Sequence, residues 1–345
     1  MAIRKKLNSV PQIERVAPAA AIPGGEIAIR GSGFSASAEV RPKVLIGSTP
    51  APVIIGSDRY VVVRVPEGVR EGGLVIDNGL STSAKWACDI GFQIADGVHP
   101  VANPVVDRMG NIYTTLSGSR GQKMPVSVFR IEPGYVVKPF LSDLMNATGL
   151  ALDREGLLYV SSRQDGIVYQ ATPEGELSVY VEGMGVATGL AFDVEENLFV
   201  GDRSGTIFKI SRSRQIFVFA TMEPSIAAYH LAFGPDGYLY VTGPTTSSFD
   251  SVYRVNPAGE VEVFYRGLGR PQGLALDADG NLYVAASLRG RRGIVRITPD
   301  RQAELFLSGP GIVGLAFAPH NTLLVATGNA IYRVDCGIAG RPLLG

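Results

Sequence analysis

The chain has 345 residues, a length that suggests two domains, and hydrophobic residues make up 46% of it, enough for ordinary buried cores. The 32 Lys and Arg residues balance the 32 Asp and Glu residues, which argues against a nucleic-acid-binding protein, because such proteins need a surplus of cations. Two cysteines, Cys88 and Cys336, indicate neither a disulfide framework nor a thiolate zinc site, and we expect both to be reduced in the cell.

The first residues predict no targeting segment. Residues 1–10 are interpreted as a flexible N-terminus, whose basic cluster is followed by polar residues rather than by the apolar region of a signal peptide. No stretch approaches the ~18 consecutive apolar residues of a membrane span. We therefore expect a cytoplasmic protein without membrane insertion, although a chain from which an export signal had been removed would show the same pattern.

Residues 11–90 predict a β-sandwich. They contain short apolar segments with strand character, such as residues 26–30, 43–46, 60–65 and 74–76, separated by turn clusters rich in glycine. Short strands with turn signals at this spacing are typical of an immunoglobulin-like sandwich.

Residues 91–345 contain an internal repeat. The phrase TGLALDREGLLYV at 148–160 has five further copies, and the second position of the six copies is occupied by Asn103, Gly149, Gly189, His230, Gly273 and Gly314. The copies begin 40–46 residues apart, and each predicts a strand, a tight turn and a second strand, with two more strands before the next copy. Six such units predict a six-bladed β-propeller, so the predicted fold class is all-β, a sandwich followed by a propeller.

Two segments compete for the outer edge of the last blade. Residues 91–97 align with the fourth strand of a blade, yet they precede the first copy of the repeat. Residues 341–344 stand where the last blade's own fourth strand would be. The sequence leaves both possibilities open.

The N-terminal residues resemble the IPT/TIG immunoglobulin-like family. The matching positions are Pro11, Ile13, Pro18, Pro23, Gly24, Gly25, Ile27, Ile29, Gly31, Gly33, Phe34, Val44, Ile46, Gly47, Val65 and Pro66. The resemblance implies a spacer or binding module beside a larger domain.

The repeat region resembles the NHL-repeat and gluconolactonase-like propellers. For the gluconolactonase-like enzymes, the resemblance implies a divalent cation in the central channel, held by oxygen ligands at the starts of the innermost strands. The matching positions here are Ala102, Ala147, Thr148, Thr188 and Tyr229, and none is a carboxylate. We therefore expect no metal and no other cofactor, with Ca²⁺ or another divalent cation as the alternative if the lactonase interpretation holds.

Repeated aspartates in this region suggest a ligand set at first sight. Asp107, Asp153, Asp193 and Asp277 fall at the same turn of their blades. Because aspartate is favoured at such turns for its own hydrogen bonds to the backbone, we interpret these residues as turn caps.

One face of the propeller is the predicted ligand-binding surface. His230 replaces the repeat's glycine, and we interpret it either as a hydrogen-bonded structural histidine or as a candidate whose imidazole faces the channel mouth. Loops on the same face contain arginine, lysine or histidine side chains. The planar guanidinium of arginine suits carboxylate and phosphate groups. The candidate residues are Arg120, Thr148, Arg163, Thr188, Arg203, Tyr229, His230, Arg270 and Gln272.

These features favour a non-catalytic binding protein, whose propeller face engages an anionic small molecule, a glycan or a protein partner. The alternative is a gluconolactonase-like hydrolase or lyase with a rebuilt active site. Related lyases use a histidine as general base, and this chain has only His99, His230 and His320. No nucleic-acid partner is expected.

Overall fold

The computed structural model describes residues 10–35, 41–118, 122, 124–247 and 249–341. Within these residues the regular secondary structure consists of β-strands. No helix in the described part of the chain is long and apolar enough to cross a membrane.

The chain divides into two compact units. The first consists of the residues up to Phe92 together with Leu305–Pro310 and Val334–Cys336. The second consists of Gln93–Glu304, Gly311–Arg333 and the residues from Gly337 onward.

The first unit is an immunoglobulin-like sandwich. One sheet has the strand order β1-β3-β7-β6 and the other β5-β4-β8, while the short β2 pairs in parallel with β9. The strands are β1 (Gln12–Ala17), β2 (Ala20–Ala21), β3 (Glu26–Ser32), β4 (Lys43–Ile46), β5 (Thr49–Ala51), β6 (Val53–Gly56), β7 (Tyr60–Arg64), β8 (Leu74–Asp77) and β9 (Asp89–Ile90).

Alternation of side chains produces the core of this sandwich. Along β3, Ile27 and Ile29 are buried while Glu26 and Arg30 are exposed, because successive side chains of a strand point to opposite faces. Residues of both sheets share this core, namely Ile27, Ile29, Val61 and Val63 with Val44, Ile46, Leu74 and Ile76. The predicted sandwich is confirmed.

The second unit is a six-bladed propeller, as the repeat predicted. Five blades are separate four-stranded antiparallel sheets, and the four strands of blade five belong to a six-stranded sheet. The innermost strand of each blade is the one that begins with its copy of the repeat. Blades one to three comprise β11 (Val105–Val106), β12 (Ile112–Thr115), β13 (Val128–Ile131), β14 (Val137–Leu141), β15 (Ala147–Leu152), β16 (Leu158–Ser162), β17 (Ile167–Ala171), β18 (Leu177–Val181), β19 (Ala187–Phe192), β20 (Leu198–Asp202), β21 (Thr206–Ile210) and β22 (Ile216–Thr221).

Blades four to six comprise β23 (His230–Phe233), β24 (Leu239–Thr242), β25 (Asp250–Val255), β26 (Val261–Leu268), β27 (Leu274–Leu276), β28 (Leu282–Leu288), β29 (Arg291–Ile297), β30 (Ala303–Ser308), β31 (Ile312–Ala318), β32 (Thr322–Thr327), β33 (Ile331–Asp335) and β10 (Phe92–Ala95). The innermost strands β11, β15, β19, β23, β27 and β31 contact one another in this order, and β31 contacts β11, which closes the ring.

The last blade is closed by the earlier of the two competing segments. Its strand order is β10-β33-β32-β31, so that β10 supplies the outer strand. Residue 341, from the other segment, lies instead beside the innermost strand of blade five, where its N–H donates to the carbonyl of Leu276 at 3.1 Å. Residues 342–344 fall outside the described residues.

The repeated aspartates are turn caps, as predicted. The Oδ1 atom of Asp107 accepts the N–H groups of Met109 and Asn111 at 2.9 and 2.8 Å, and Asp193 accepts those of Glu195 and Asn197 at the same two distances. These carboxylates satisfy backbone donors that the tight turn would otherwise leave unpaired.

The glycine column of the repeat marks a close approach between neighbouring blades. A Cβ atom placed on Gly149 would lie 2.1 Å from the carbonyl oxygen of Thr188, and one on Gly189 would lie 2.5 Å from that of Tyr229. Because only glycine permits such contacts, the innermost strands converge at the end where they begin.

Candidate ligand-binding channel

A cavity of about 440 Å³ lies among the innermost strands of the propeller. Every blade contributes apolar residues to the wall of this cavity. In blades two to six, these residues are three consecutive apolar positions of the repeat. The apolar triplets, as we call these segments, are Leu150-Ala151-Leu152, Leu190-Ala191-Phe192, Leu231-Ala232-Phe233, Leu274-Ala275-Leu276 and Leu315-Ala316-Phe317.

The cavity opens at the end of the channel where the innermost strands finish. Its lining includes Asp107 to Met109 and Asp153 to Gly156, which form the turns between the first and second strands of blades one and two. We call this end the entrance.

The opposite end of the channel is nearly filled. The space there measures only about 20 Å³ and is lined by the beginnings of the innermost strands of blades one to four. Asn103 adds to the closure, because its Nδ2 donates to Leu274 O at 2.8 Å and its Oδ1 accepts from Leu315 N at 3.1 Å. The side chain therefore joins the innermost strands of blades five and six, and we call this end the closed end.

Residues 339–341, which we call the C-terminal segment, form one side of the entrance. Gly340 bridges to Asp277 as in an antiparallel pair, and Ala278 N donates to Ala339 O at 3.0 Å. Through these backbone bonds, a short segment of chain pairs with the end of the innermost strand of blade five. They bring the side chain of Arg341 into the cavity wall.

Arg341 is a half-buried cation in the cavity wall, beside the apolar triplets. Its Nη1 donates to the carbonyl oxygen of Phe233. Burial lowers the pKa of the guanidinium, while the charge of Asp236 acts in the opposite direction. Arginine nevertheless remains protonated, so a partly desolvated positive charge stands at the entrance.

The other charged groups of the lining have protein partners or lie in solvent. Asp107 and Asp153 cap their turns, and Asp153 also accepts from Tyr159 Oη at 3.0 Å. Arg154 donates to Val194 O at 2.9 Å, and Arg108 is exposed.

The structure brings four of the predicted site residues together at the closed end. Thr148, Thr188, Tyr229 and His230 line the same 20 Å³ space and are all buried. His230 is only 5% exposed, which corrects its expected place at an open channel mouth. The innermost strands converge at this end, where a Cβ on Gly189 would lie 3.1 Å from the Cα of His230, so the imidazole is enclosed between neighbouring blades.

The hydroxyl groups of Thr148, Thr188 and Tyr229 form hydrogen bonds with backbone groups of the propeller. Thr188 Oγ1 donates to Gly201 O at 2.8 Å and accepts from Tyr229 N at 3.1 Å, while Thr148 Oγ1 donates to Asn146 O at 3.0 Å. The Tyr229 hydroxyl donates to Glu223 O, and burial raises the pKa of its phenol to about 12. Burial alone lowers the pKa of His230 to about 4, so this imidazole is neutral at pH 7.

The remaining predicted residues lie outside that space. Arg163 is half-buried, and its pKa is lowered by burial and by the nearby charge of Arg203. Arg270 is exposed, and Gln272 uses its carbonyl oxygen to accept from Thr242. Arg120 falls outside the described residues.

The gluconolactonase-like ligand positions carry neutral side chains here. Among the residues that the structure describes, no group of three or more His, Cys, Asp or Glu residues could hold a metal ion. His320 is exposed, and His99 Nδ1 lies 3.2 Å from Gly328 O. Neither histidine lines the cavity or the small space at its closed end.

Four of the candidates predicted from the sequence lie at the closed end of the channel, whereas the larger cavity lies towards the entrance. The apolar triplets were visible in every strong copy of the repeat, and a strand that is apolar at three successive positions has a second apolar face to cover. That signal points to the channel. Arg341 had no such signal, because it lies beyond the last repeat.

Comparisons with known proteins support the two parts of the fold. Residues 11–84 match the IPT/TIG domain, which confirms the predicted resemblance. No curated protein matches the chain.

Several solved structures share the architecture at low sequence identity. An auxiliary nutrient binding protein from Bacteroides thetaiotaomicron is 13% identical, with 95% of this chain and 98% of that chain covered and a TM-score of 0.57. A putative gluconolactonase is 19% identical, with 74% and 94% covered and a TM-score of 0.59. A catalytically inactive virginiamycin B lyase from Staphylococcus aureus with quinupristin is 14% identical, with 86% and 96% covered and a TM-score of 0.52. These likenesses confirm the resemblance to gluconolactonase-like propellers at the level of fold.

Proposed function

We propose that this protein binds a small, largely apolar molecule in the channel of its propeller, entering by the open end. The observation that carries the proposal is the cavity of about 440 Å³ walled by the apolar triplets and closed at its far end. Small-molecule sites are concave, mostly apolar and of roughly 300–1,000 Å³, with a few polar groups that orient the ligand.

The proposal keeps the binding role expected from the sequence and changes its location. A nutrient-binding protein among the structural neighbours supports a binding role for this architecture. The chemistry of the wall also favours binding over hydrolysis, because Asp107 and Asp153 are engaged in their turns and burial raises the pKa of Tyr113 to about 12. The carboxylates are occupied by bonds within their turns, and the phenol stays protonated, so the wall offers no arrangement typical of a general base.

A series of straight-chain alkanols tests the proposal, because each methylene that enters the channel strengthens binding by ~0.8 kcal/mol, about fourfold. Isothermal titration of the full chain with hexanol, octanol and decanol is expected to show this increase. Ala275→Phe, in the channel wall, is expected to abolish it, and Ala258→Phe, at an exposed turn of blade four, is the matched control. Affinity that is unmeasurable for all three alcohols, or unaffected by Ala275→Phe, would overturn the proposal.

A further inference from the structure

We propose that Arg341 recognises an acid group on the ligand, so that the channel takes an apolar monocarboxylate with its chain inside and its carboxylate at the entrance. This inference rests on the proposed function and specifies the class of molecule bound.

The position of Arg341 is fixed by its backbone. Its N–H donates to Leu276 O, the neighbouring Gly340 bridges to Asp277, and both contacts are made on the innermost strand of blade five. A Cβ on Gly340 would lie 2.1 Å from the Cβ of Phe317, so blade six holds the segment from the other side. Because its backbone is bonded to blade five and the preceding glycine packs against the Phe317 side chain of blade six, the cation is positioned before any ligand arrives, which reduces the entropic cost of binding.

The guanidinium retains capacity for a ligand. Arginine has five N–H donors in a planar fork, and among the described residues the hydrogen bond found for this side chain goes to Phe233 O. A carboxylate matches the remaining donors in a bidentate arrangement, and partial burial strengthens such a charge-assisted pair.

Nearby carboxylates do not neutralise this cation. Asp236 is the acidic group that acts on Arg341, and its oxygens already accept from Tyr240 Oη at 2.9 Å and from Tyr238 N at 3.2 Å. It also lies 3.9 Å from Arg254 Nη1, which shares its charge. A ligand carboxylate would therefore meet a cation with little competition.

The chemistry of the wall selects a single negative charge with an apolar body. The triplets have no polar side chain, and the amide of Asn103 at the closed end is bonded to blades five and six, so a second charge deeper in the channel would remain unpaired at high cost. A cationic head group would meet Arg341 and be repelled.

The experiment compares three probes of equal chain length: decanoate, decanol and decylamine. Isothermal titration of the full chain at pH 8 is expected to give the order decanoate, decanol, decylamine in decreasing affinity. Arg341→Gln is expected to weaken decanoate roughly 10- to 100-fold, the range for a hydrogen bond to a charged group, and to leave decanol within about twofold. Arg341→Lys is expected to restore only part of the loss, because lysine keeps the charge and lacks the fork.

Arg292→Gln is the matched control, because Arg292 is an exposed arginine of blade five that does not line the cavity. It is expected to leave the affinity for both probes within about twofold. Equal affinity for decanoate and decanol, or an equal loss of both in Arg341→Gln, would overturn the inference while the proposed function stands. Failure of all three probes to bind would overturn the proposed function and the inference with it. A thermal melt of each variant confirms that the fold is intact.

Discussion

Gly340 packs directly against Phe317, with no room for a side chain between them: a Cβ on residue 340 would lie 2.1 Å from the Cβ of Phe317. Phe317 is itself held by an edge-to-face contact with Tyr283, whose ring centroid is 5.1 Å away. The aromatic pair therefore forms a rigid surface, and the C-terminal segment lies beside the innermost strand of blade five only because residue 340 is glycine.

Gly340→Ala is expected to displace this segment from the entrance. Because the added methyl group would overlap a ring that is already packed, the segment must move and release its backbone hydrogen bonds. Hydrogen exchange is expected to become faster at the amides of Ala278 and Arg341, which donate within this contact.

Gly328→Ala provides the control, because nothing lies within 4 Å of a Cβ at that position. Its amide exchange at residues 278 and 341 is expected to match the original protein. Unchanged protection in Gly340→Ala would show that the segment tolerates a side chain and that this close contact does not hold it.

Asn103 is expected to contribute strongly to closing the ring. Asn103→Ala would leave Leu274 O and Leu315 N without their side-chain partners in a partly buried place, at a cost of about 2–4 kcal/mol in the free energy of unfolding. Urea denaturation measures this loss. Asn329→Ala, which removes an exposed hydrogen bond to Asp96, is expected to cost less than about 1 kcal/mol. Equal costs for the two variants would contradict the role of Asn103.

The blades could be predicted from the sequence because each blade contains nearly the same pattern of residues. The aspartate of the turn, the glycine of the close approach and the apolar triplet recur at one period, so that six copies support a single interpretation. The two breaks in the glycine column, Asn103 and His230, were also visible. Their roles were not, since an asparagine that joins blades and a histidine that fills a gap depend on neighbours brought together only by closure of the ring.

The open end of the channel could not be predicted for a related reason. Which end is blocked depends on how closely the strands approach, a distance set by contacts between blades. Arg341 and β10 show the same limit, because each pairs with a strand far away in sequence and neither belongs to a copy of the repeat. A segment that occurs once and pairs with a distant strand is not part of a sequence repeat, so no repeat period reveals its partner.

The turn aspartates are expected to act in stability and not in metal binding. Asp193→Ala would remove two accepted backbone N–H bonds and is expected to cost about 1–2 kcal/mol in the free energy of unfolding. Asp279→Ala, an exposed turn residue of blade five, is expected to stay within about 0.5 kcal/mol of the original protein. Adding Ca²⁺ or a chelator is expected to leave the melting temperature of all three proteins unchanged. A melting temperature that rises with Ca²⁺ in the original protein and not in Asp193→Ala would reverse this assignment.

His230 is expected to make the fold sensitive to mild acid. Its pKa is lowered from 6.5 to about 4 by burial, and the residues that line its space include no charged group. Between these two values the unfolded chain binds a proton that the folded chain excludes, so the free energy of unfolding falls as the pH falls. The shift corresponds to about 3 kcal/mol at ~1.4 kcal/mol for each pH unit.

His230→Gly removes this titration and restores the residue that four other copies of the repeat carry. The variant loses packing at every pH, but the difference in unfolding free energy between it and the original protein is expected to shrink by about 3 kcal/mol between pH 7 and pH 4. His320→Asn, which changes an exposed histidine, is expected to show a constant difference over that range. Urea denaturation at half-unit steps of pH provides the measurement. A constant difference for His230→Gly as well would mean that the imidazole takes up a proton over the same pH range in the folded and the unfolded protein, and the closed end of the channel would then have to admit water.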